Sequence, residues 1–198
     1  MIRKFINPFR YLAGGYALII GVSIILITSV IGFFSQTHFP DVISVKIAPA
    51  FPLKYYILQG LMNWLVLSAV FYLLSVFFSK SRVRFIDVLG TQSVARFPYL
   101  LAALTGFSNA MSRFGDYILY EIMDKGEPVV LGSWAFSSAI ALIVFIILMT
   151  IWLVVLMYNA FIVSANLKGP KSIFLFIGGL ITAILISAFL NTQLIKLI

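Results

Sequence analysis

Runs of about twenty or more residues without a charge recur along this chain, and nothing else in it constrains the fold so strongly. Tyr11–Phe34, Tyr55–Ser79, Trp134–Phe161 and Ser172–Leu194 contain no Asp, Glu, Lys or Arg. Each is long enough to cross the roughly 30 Å hydrocarbon core of a bilayer as a helix. A fifth segment, Val88–Phe107, is nearly as apolar but holds one charge, Arg96. The chain is 62% hydrophobic and 10% charged, whereas soluble domains have roughly 45–50% apolar and about 25% charged residues. The sequence therefore predicts one all-α integral membrane domain over residues 1–198, a five-span transmembrane helix bundle. The segments of about ten alternating residues that mark a membrane barrel are absent.

Charge placement sets the expected orientation. With the N-terminus cytoplasmic, Arg3, Lys4, Arg10, Lys80, Arg82, Arg84, Lys168 and Lys171 fall inside, whereas Lys46, Lys54, Arg113, Lys125 and Lys196 fall outside. The outer side also receives Asp41, Asp116, Glu121, Asp124 and Glu127, leaving Asp87 inside. Every loop agrees with N-in, C-out. The net charge of +8 thus reads as an orientation signal and not as a nucleic-acid surface. The first apolar run outlasts the about 7–15-residue core of a cleaved secretory signal, so it reads as a retained anchor. Cysteine is absent, which removes disulfides, thiolate metal sites and a Cys nucleophile.

Arg84–Leu101, RFIDVLGTQSVARFPYLL, carries the chemistry. Arg96 lies about nine residues into the third span, roughly 13 Å deep at about 1.5 Å per residue. A charge there costs on the order of 2.5–3.5 kcal/mol on insertion scales. Leu89, Gln92, Arg96, Tyr99 and Ala103 share one helical face, with Thr91 beside it. Pro98 has no N–H, so the Val94 carbonyl loses its helical donor, and a kink of the third helix at Pro98 is expected. Tyr72, Thr150 and Thr182 are the depth-matched polar candidates to join this site. Two roles fit Arg96. It binds an anionic group such as a lipid phosphate through its planar fork of donors, or it is a strut that hydrogen-bonds backbone carbonyls at the kink.

Elsewhere, small residues mark packing faces. Gly179, Ala183, Ser187 and Asn191 recur every four residues in the fifth span, as do Ala13, Ala17 and Gly21 in the first. Such stripes let helix backbones approach closely. They serve packing within the chain, or else a homodimer or a membrane-protein partner. Gln59 and Asn63 lie one turn apart in the outer half of the second span, at the level of Asn191, Thr192 and Gln193. The first outer loop, Ser35–Lys54, holds three prolines and should be irregular. Asn7-Pro8 reads as a helix cap and start, preceded by Arg3 and Lys4, which with Arg10 form a positive-inside anchor, or else by a short interfacial segment with Ile2, Phe5, Ile6 and Phe9. From about 108 to 125, Met111, Phe114, Ile118 and Ile122 recur at helical spacing opposite Ser112, Arg113, Asp116 and Asp124. This is an amphipathic outer helix stopped near Gly126-Glu127-Pro128, expected to pack over the bundle mouth.

No span contains a carboxylate or histidine, and no nucleophile–base pair or phosphate-cradling glycine loop occurs. The single histidine, His38, sits in the first outer loop with Asp41 nearby in sequence. Neither coupled transport through titrating relays nor an enzyme is expected, nor any cofactor or metal.

Asn7-Pro8-Phe9 precedes the first span, and a basic cytoplasmic loop leads into Phe85, Gly90 and Pro98-Tyr99-Leu100-Leu101 of the third. In these motifs and in its five-span layout the chain resembles the bacterial branch of the Yip (Ypt-interacting protein) family. The resemblance implies a membrane scaffold or membrane-organising protein of the bacterial cytoplasmic membrane. Eukaryotic members are linked to Rab-type GTPases through a long cytosolic N-terminal region. Only about ten residues precede the first span here, so GTPase binding is not carried over. Two functional readings follow: a non-enzymatic scaffold in contact with membrane lipids, or a small transporter or lipid-handling protein built around Arg96.

Overall fold

The structure, a computed structural model, describes residues 6–48, 50–125, 127–128 and 130–197. It is all-helical apart from one two-residue pairing. Four helices are long and apolar enough to cross a membrane: α1 (Gly14–Ser35), α2 (Leu53–Phe78), α6 (Ser133–Ser164) and α7 (Lys171–Leu197). Their 22 to 32 residues correspond to roughly 33–48 Å at about 1.5 Å per residue. Their outward faces carry exposed Tyr16, Phe34, Phe77, Trp134 and Phe174, an apolar surface that water would not tolerate and lipid would.

The predicted third span is not one helix. It consists of α3 (Phe85–Val94), α4 (Phe97–Ala103) and a 3-10 turn at Leu104–Phe107. The expected kink at Pro98 is a break two residues earlier, over Ala95 and Arg96. Both keep right-handed backbone angles, but the ladder switches to shorter bonds, with Arg96 N–H donating to Ser93 and Tyr99 N–H to Arg96. Pro98 falls in the first turn of α4, where its missing N–H loses nothing. Every residue from Gly90 to Arg96 is buried. A helix buried all round belongs in the core of the bundle.

Close backbone approach puts it there. A Cβ on Gly90 would stand 2.7 Å from the Gly14 carbonyl oxygen, and one on Gly21 would fall on Ser93, 2.6 Å from its carbonyl carbon. Ala17 and Gly21 therefore seat α1 directly on α3. Ala13, the third member of the predicted stripe, does not take part: it precedes α1 in extended backbone and is exposed. The other stripe is buried throughout, at Gly179, Ala183, Ser187 and Asn191, and seats α7 on α2. Gly179 faces the Phe71 and Leu74 side chains. Phe71 in turn stacks at a tilt on Phe161 and Phe176, with centroids 4.7 and 5.5 Å away, joining α2, α6 and α7. Ala17, Gly21 and the whole of the α7 stripe are thus covered by the chain's own helices.

Two smaller expectations change. Asn7 makes no side-chain cap; Pro8–Arg10 is a single 3-10 turn and α1 starts only at Gly14. Phe9 is buried in the core, while Ile6 is exposed; Ile2, Arg3, Lys4 and Phe5 lie outside the described residues. The amphipathic helix is α5 (Asn109–Met123), capped by Ser108 Oγ accepting from Ala110 N–H. It ends at Asp124 in left-handed backbone, before the expected Gly-Glu-Pro stop, of which Gly126 lies outside the described residues. It leans chiefly on α6, where Phe114 meets Phe136 edge-on at 5.9 Å, and does not roof the bundle.

Candidate functional site: a polar clamp on an inward-folded loop

The loop between α1 and α2 is not a surface connection. After α1 the chain turns at Gln36, whose φ is 56°, and forms β1 (Thr37–His38) against β2 (Lys46–Ile47). The two are antiparallel, pairing Thr37 with Ile47 and His38 with Lys46. Residues between them dip into the bundle, burying Phe39 and Val42 in the core. Asp41 Oδ1 holds the tip by accepting from the N–H groups of Ile43 and Ser44 at 2.8 and 2.9 Å. Irregular backbone at this depth needs partners for its amides and carbonyls, because hydrocarbon offers none.

Those partners are side chains of α2, of α4 and of the break before it. Gln59 Oε1 accepts from Phe39 N–H at 3.0 Å. Asn63 Nδ2 donates to the carbonyls of Phe39 and Asp41 at 2.6 and 3.0 Å. Asn191 of α7 then ties the two carboxamides together: its Oδ1 accepts from Gln59 Nε2 at 3.1 Å, and its Nδ2 donates to Asn63 Oδ1 at 3.0 Å. On the other side, Arg96 Nη1 and the Tyr99 hydroxyl both donate to the Val42 carbonyl at 3.0 Å. Phe39 stacks on the Tyr99 ring with centroids 4.4 Å apart. His38 is buried too, stacked on Tyr56 at 4.6 Å and sharing a hydrogen bond with its hydroxyl.

Arg96 is 4% exposed and engages only part of its fork. Nε and Nη2 have no hydrogen-bond partner in the protein. A cavity of about 20 Å³ lies beside it, lined also by Thr28, Ser29, Asn63 and Tyr99. That is room for about one water molecule. Asp41 is near enough to act on the guanidinium electrostatically, and the only ion pair among the described residues is Arg84–Asp87 on the surface.

Of the residues singled out in the sequence, the structure brings Arg96, Tyr99, Gln59, Asn63 and Asn191 together around the loop and sends the other third-span candidates elsewhere. Gln92 Nε2 donates to the Met157 carbonyl of α6 at 3.1 Å. Thr91 bonds back to the Asp87 and Val88 carbonyls, and Pro98 is buried in the first turn of α4. Tyr72 packs against Phe85, while Thr150 and Thr182 bond within their own helices. None of these three reaches the site. Thr192 also turns back to its own helix and is exposed, leaving Asn191 as the α7 member. Val42, Phe39 and Asp41 carry no motif; their signal was only that a loop of prolines also holds buried-type residues. Comparison of the chain with protein-family models, with curated proteins and with solved structures finds no match.

Proposed function

We propose that this chain is a non-enzymatic membrane scaffold of five spans, with its N-terminus cytoplasmic and its C-terminus outside. One observation carries the reading: the interior polar side chains are occupied by the chain's own loop. Gln59, Asn63, Arg96 and Tyr99 hold backbone groups of residues 39–42, and Asn191 braces Gln59 and Asn63. The space left beside Arg96, about 20 Å³, is too small for a phosphate headgroup or a solute path. This favours the strut over the lipid-handling alternative at Arg96. The grouping of Lys80, Lys168 and Lys171 around one cleft supports the assignment of both loops to one side of the membrane. The Yip-like character, and with it the bacterial cytoplasmic membrane, rests on the sequence motifs.

Arg96→Leu tests the reading, with thermal melting and native mass spectrometry on the same sample. A strut gives a lower melting temperature and unchanged lipid occupancy. Loss of a co-purifying acidic lipid at unchanged stability would transfer the function to the Arg96 site.

A further inference from the structure

Two openings lie end to end along the seam between α2 and α7. The first, about 380 Å³, is a cleft lined by Lys80, Lys168 and Lys171 with Phe78 and Asn166. The second, about 400 Å³, is a groove running up the seam between Leu73, Leu74 and Phe77 of α2 and Phe174 and Gly178 of α7. They lie at successive levels of the same two helices: Phe77 borders the groove and Phe78 the cleft, and Lys171 stands one turn before Phe174. Lys171 Nζ lies 5.0 Å from the centre of the Phe78 ring, which fixes a cation at the junction.

Each opening by itself has an ordinary explanation: lysines accumulate in cytoplasmic loops, and helix seams leave grooves that lipid fills. Their succession along the same two helices is what matters. No acidic side chain lines the cleft, so its three ammonium groups are uncompensated there. Lys171 also opens α7, whose N-terminal dipole end adds positive potential. An anion in the cleft would have an apolar tail running directly into the groove. We propose that this seam binds one anionic phospholipid of the adjacent leaflet, its phosphate held by Lys80, Lys168 and Lys171 and one acyl chain lying along the groove over Gly178. Basic pockets between helices on the cytoplasmic side are chemically suited to such headgroups.

Gly178 makes the proposal separable from folding. A Cβ there meets nothing within 4 Å, whereas one on the neighbouring Gly179 would strike Leu74 at 2.6 Å and Phe71 at 2.9 Å. Gly178→Leu therefore fills the groove without disturbing the packed face. The experiment is native mass spectrometry of the full chain in detergent, titrated with phosphatidylglycerol or phosphatidylcholine of identical acyl chains. Near-surface attraction of the usual size gives about fivefold per lysine, roughly a hundredfold for three. The wild type should prefer phosphatidylglycerol by at least about tenfold, and the Lys80/Lys168/Lys171→Gln variant should lose that preference. Gly178→Leu should weaken both lipids alike while keeping the headgroup preference of whatever still binds. Lys125→Gln, in the loop after α5, should change nothing, and inorganic phosphate should not displace the lipid. Equal retention of both lipids by the wild type would overturn the proposal. So would unchanged preference in the triple variant, full retention in Gly178→Leu, or displacement by free phosphate.

Discussion

Arg96 and Tyr99 share one acceptor: the guanidinium Nη1 and the phenolic hydroxyl each stand 3.0 Å from the Val42 carbonyl oxygen. Removing either donor leaves the other in place, and removing both orphans a buried carbonyl. An orphaned buried group costs about 1–3 kcal/mol beyond the bond itself. Arg96→Leu combined with Tyr99→Phe should therefore destabilise by about 1–2 kcal/mol more than the two single variants added together. Unfolding measured in detergent as a double-mutant cycle checks this. Strict additivity would mean that the carbonyl has another donor.

Asn63 faces the loop from the opposite side and serves two carbonyls with one amide nitrogen. Asn63→Leu should release the tip of the loop. The chain has no cysteine, so Val42→Cys is a clean reporter of that tip. It should resist a membrane-impermeant thiol reagent in the wild-type background and react at least about tenfold faster with Asn63→Leu, a shift of about 1.4 kcal/mol in local opening. Equal rates in both backgrounds would remove Asn63 from the clamp.

Glycines at the two kinds of contact should respond in opposite directions. Gly21→Ala and Gly90→Ala press a methyl against the backbone of the facing helix and should destabilise by about 1–3 kcal/mol. Adding Ser93→Ala should not rescue Gly21→Ala, because the Ser93 carbonyl carbon stays 2.6 Å away. Gly15→Ala in the first turn of the same helix meets nothing within 4 Å and should be neutral or stabilise by about 0.5–1 kcal/mol. Melting temperatures of the four variants make the comparison.

Orientation is open to the same cysteine-free background. Single cysteines at Lys80 and Lys168 should be labelled only from the cytoplasmic side, and one at Lys125 only from outside. Labelling of Lys125→Cys from the cytoplasm would invert or shorten the proposed five-span layout.

Periodicity and charge made the four long helices legible to within a few residues, because lipid exposure and length leave a compositional trace. Spacing alone also brought Gln59, Asn63 and Asn191 to one level, since carboxamides at that depth need each other. What the sequence could not display is a bond whose acceptor is backbone. Val42 is an ordinary valine, and nothing in its side chain announces that its carbonyl receives Arg96. The same blindness placed the bend at Pro98, where chemistry removes a donor, and not at Ala95–Arg96, where packing against α1 and the reach to Val42 decide the geometry. Gln92, one turn before Arg96, lies on the other side of the break and bonds to α6.

The clamp also fixes an order of construction. Gln59 and Asn63 reach their common partner Asn191 across 132 and 128 residues of chain. At about 5–20 residues per second of synthesis, on the order of ten seconds separates the loop's emergence from the arrival of the residue that locks it. During that interval water at the outer surface, or the insertion machinery, must satisfy the two carboxamides. A nascent chain arrested before α7 should accordingly hold its loop unlatched, and this end of the bundle closes only once Asn191 has arrived.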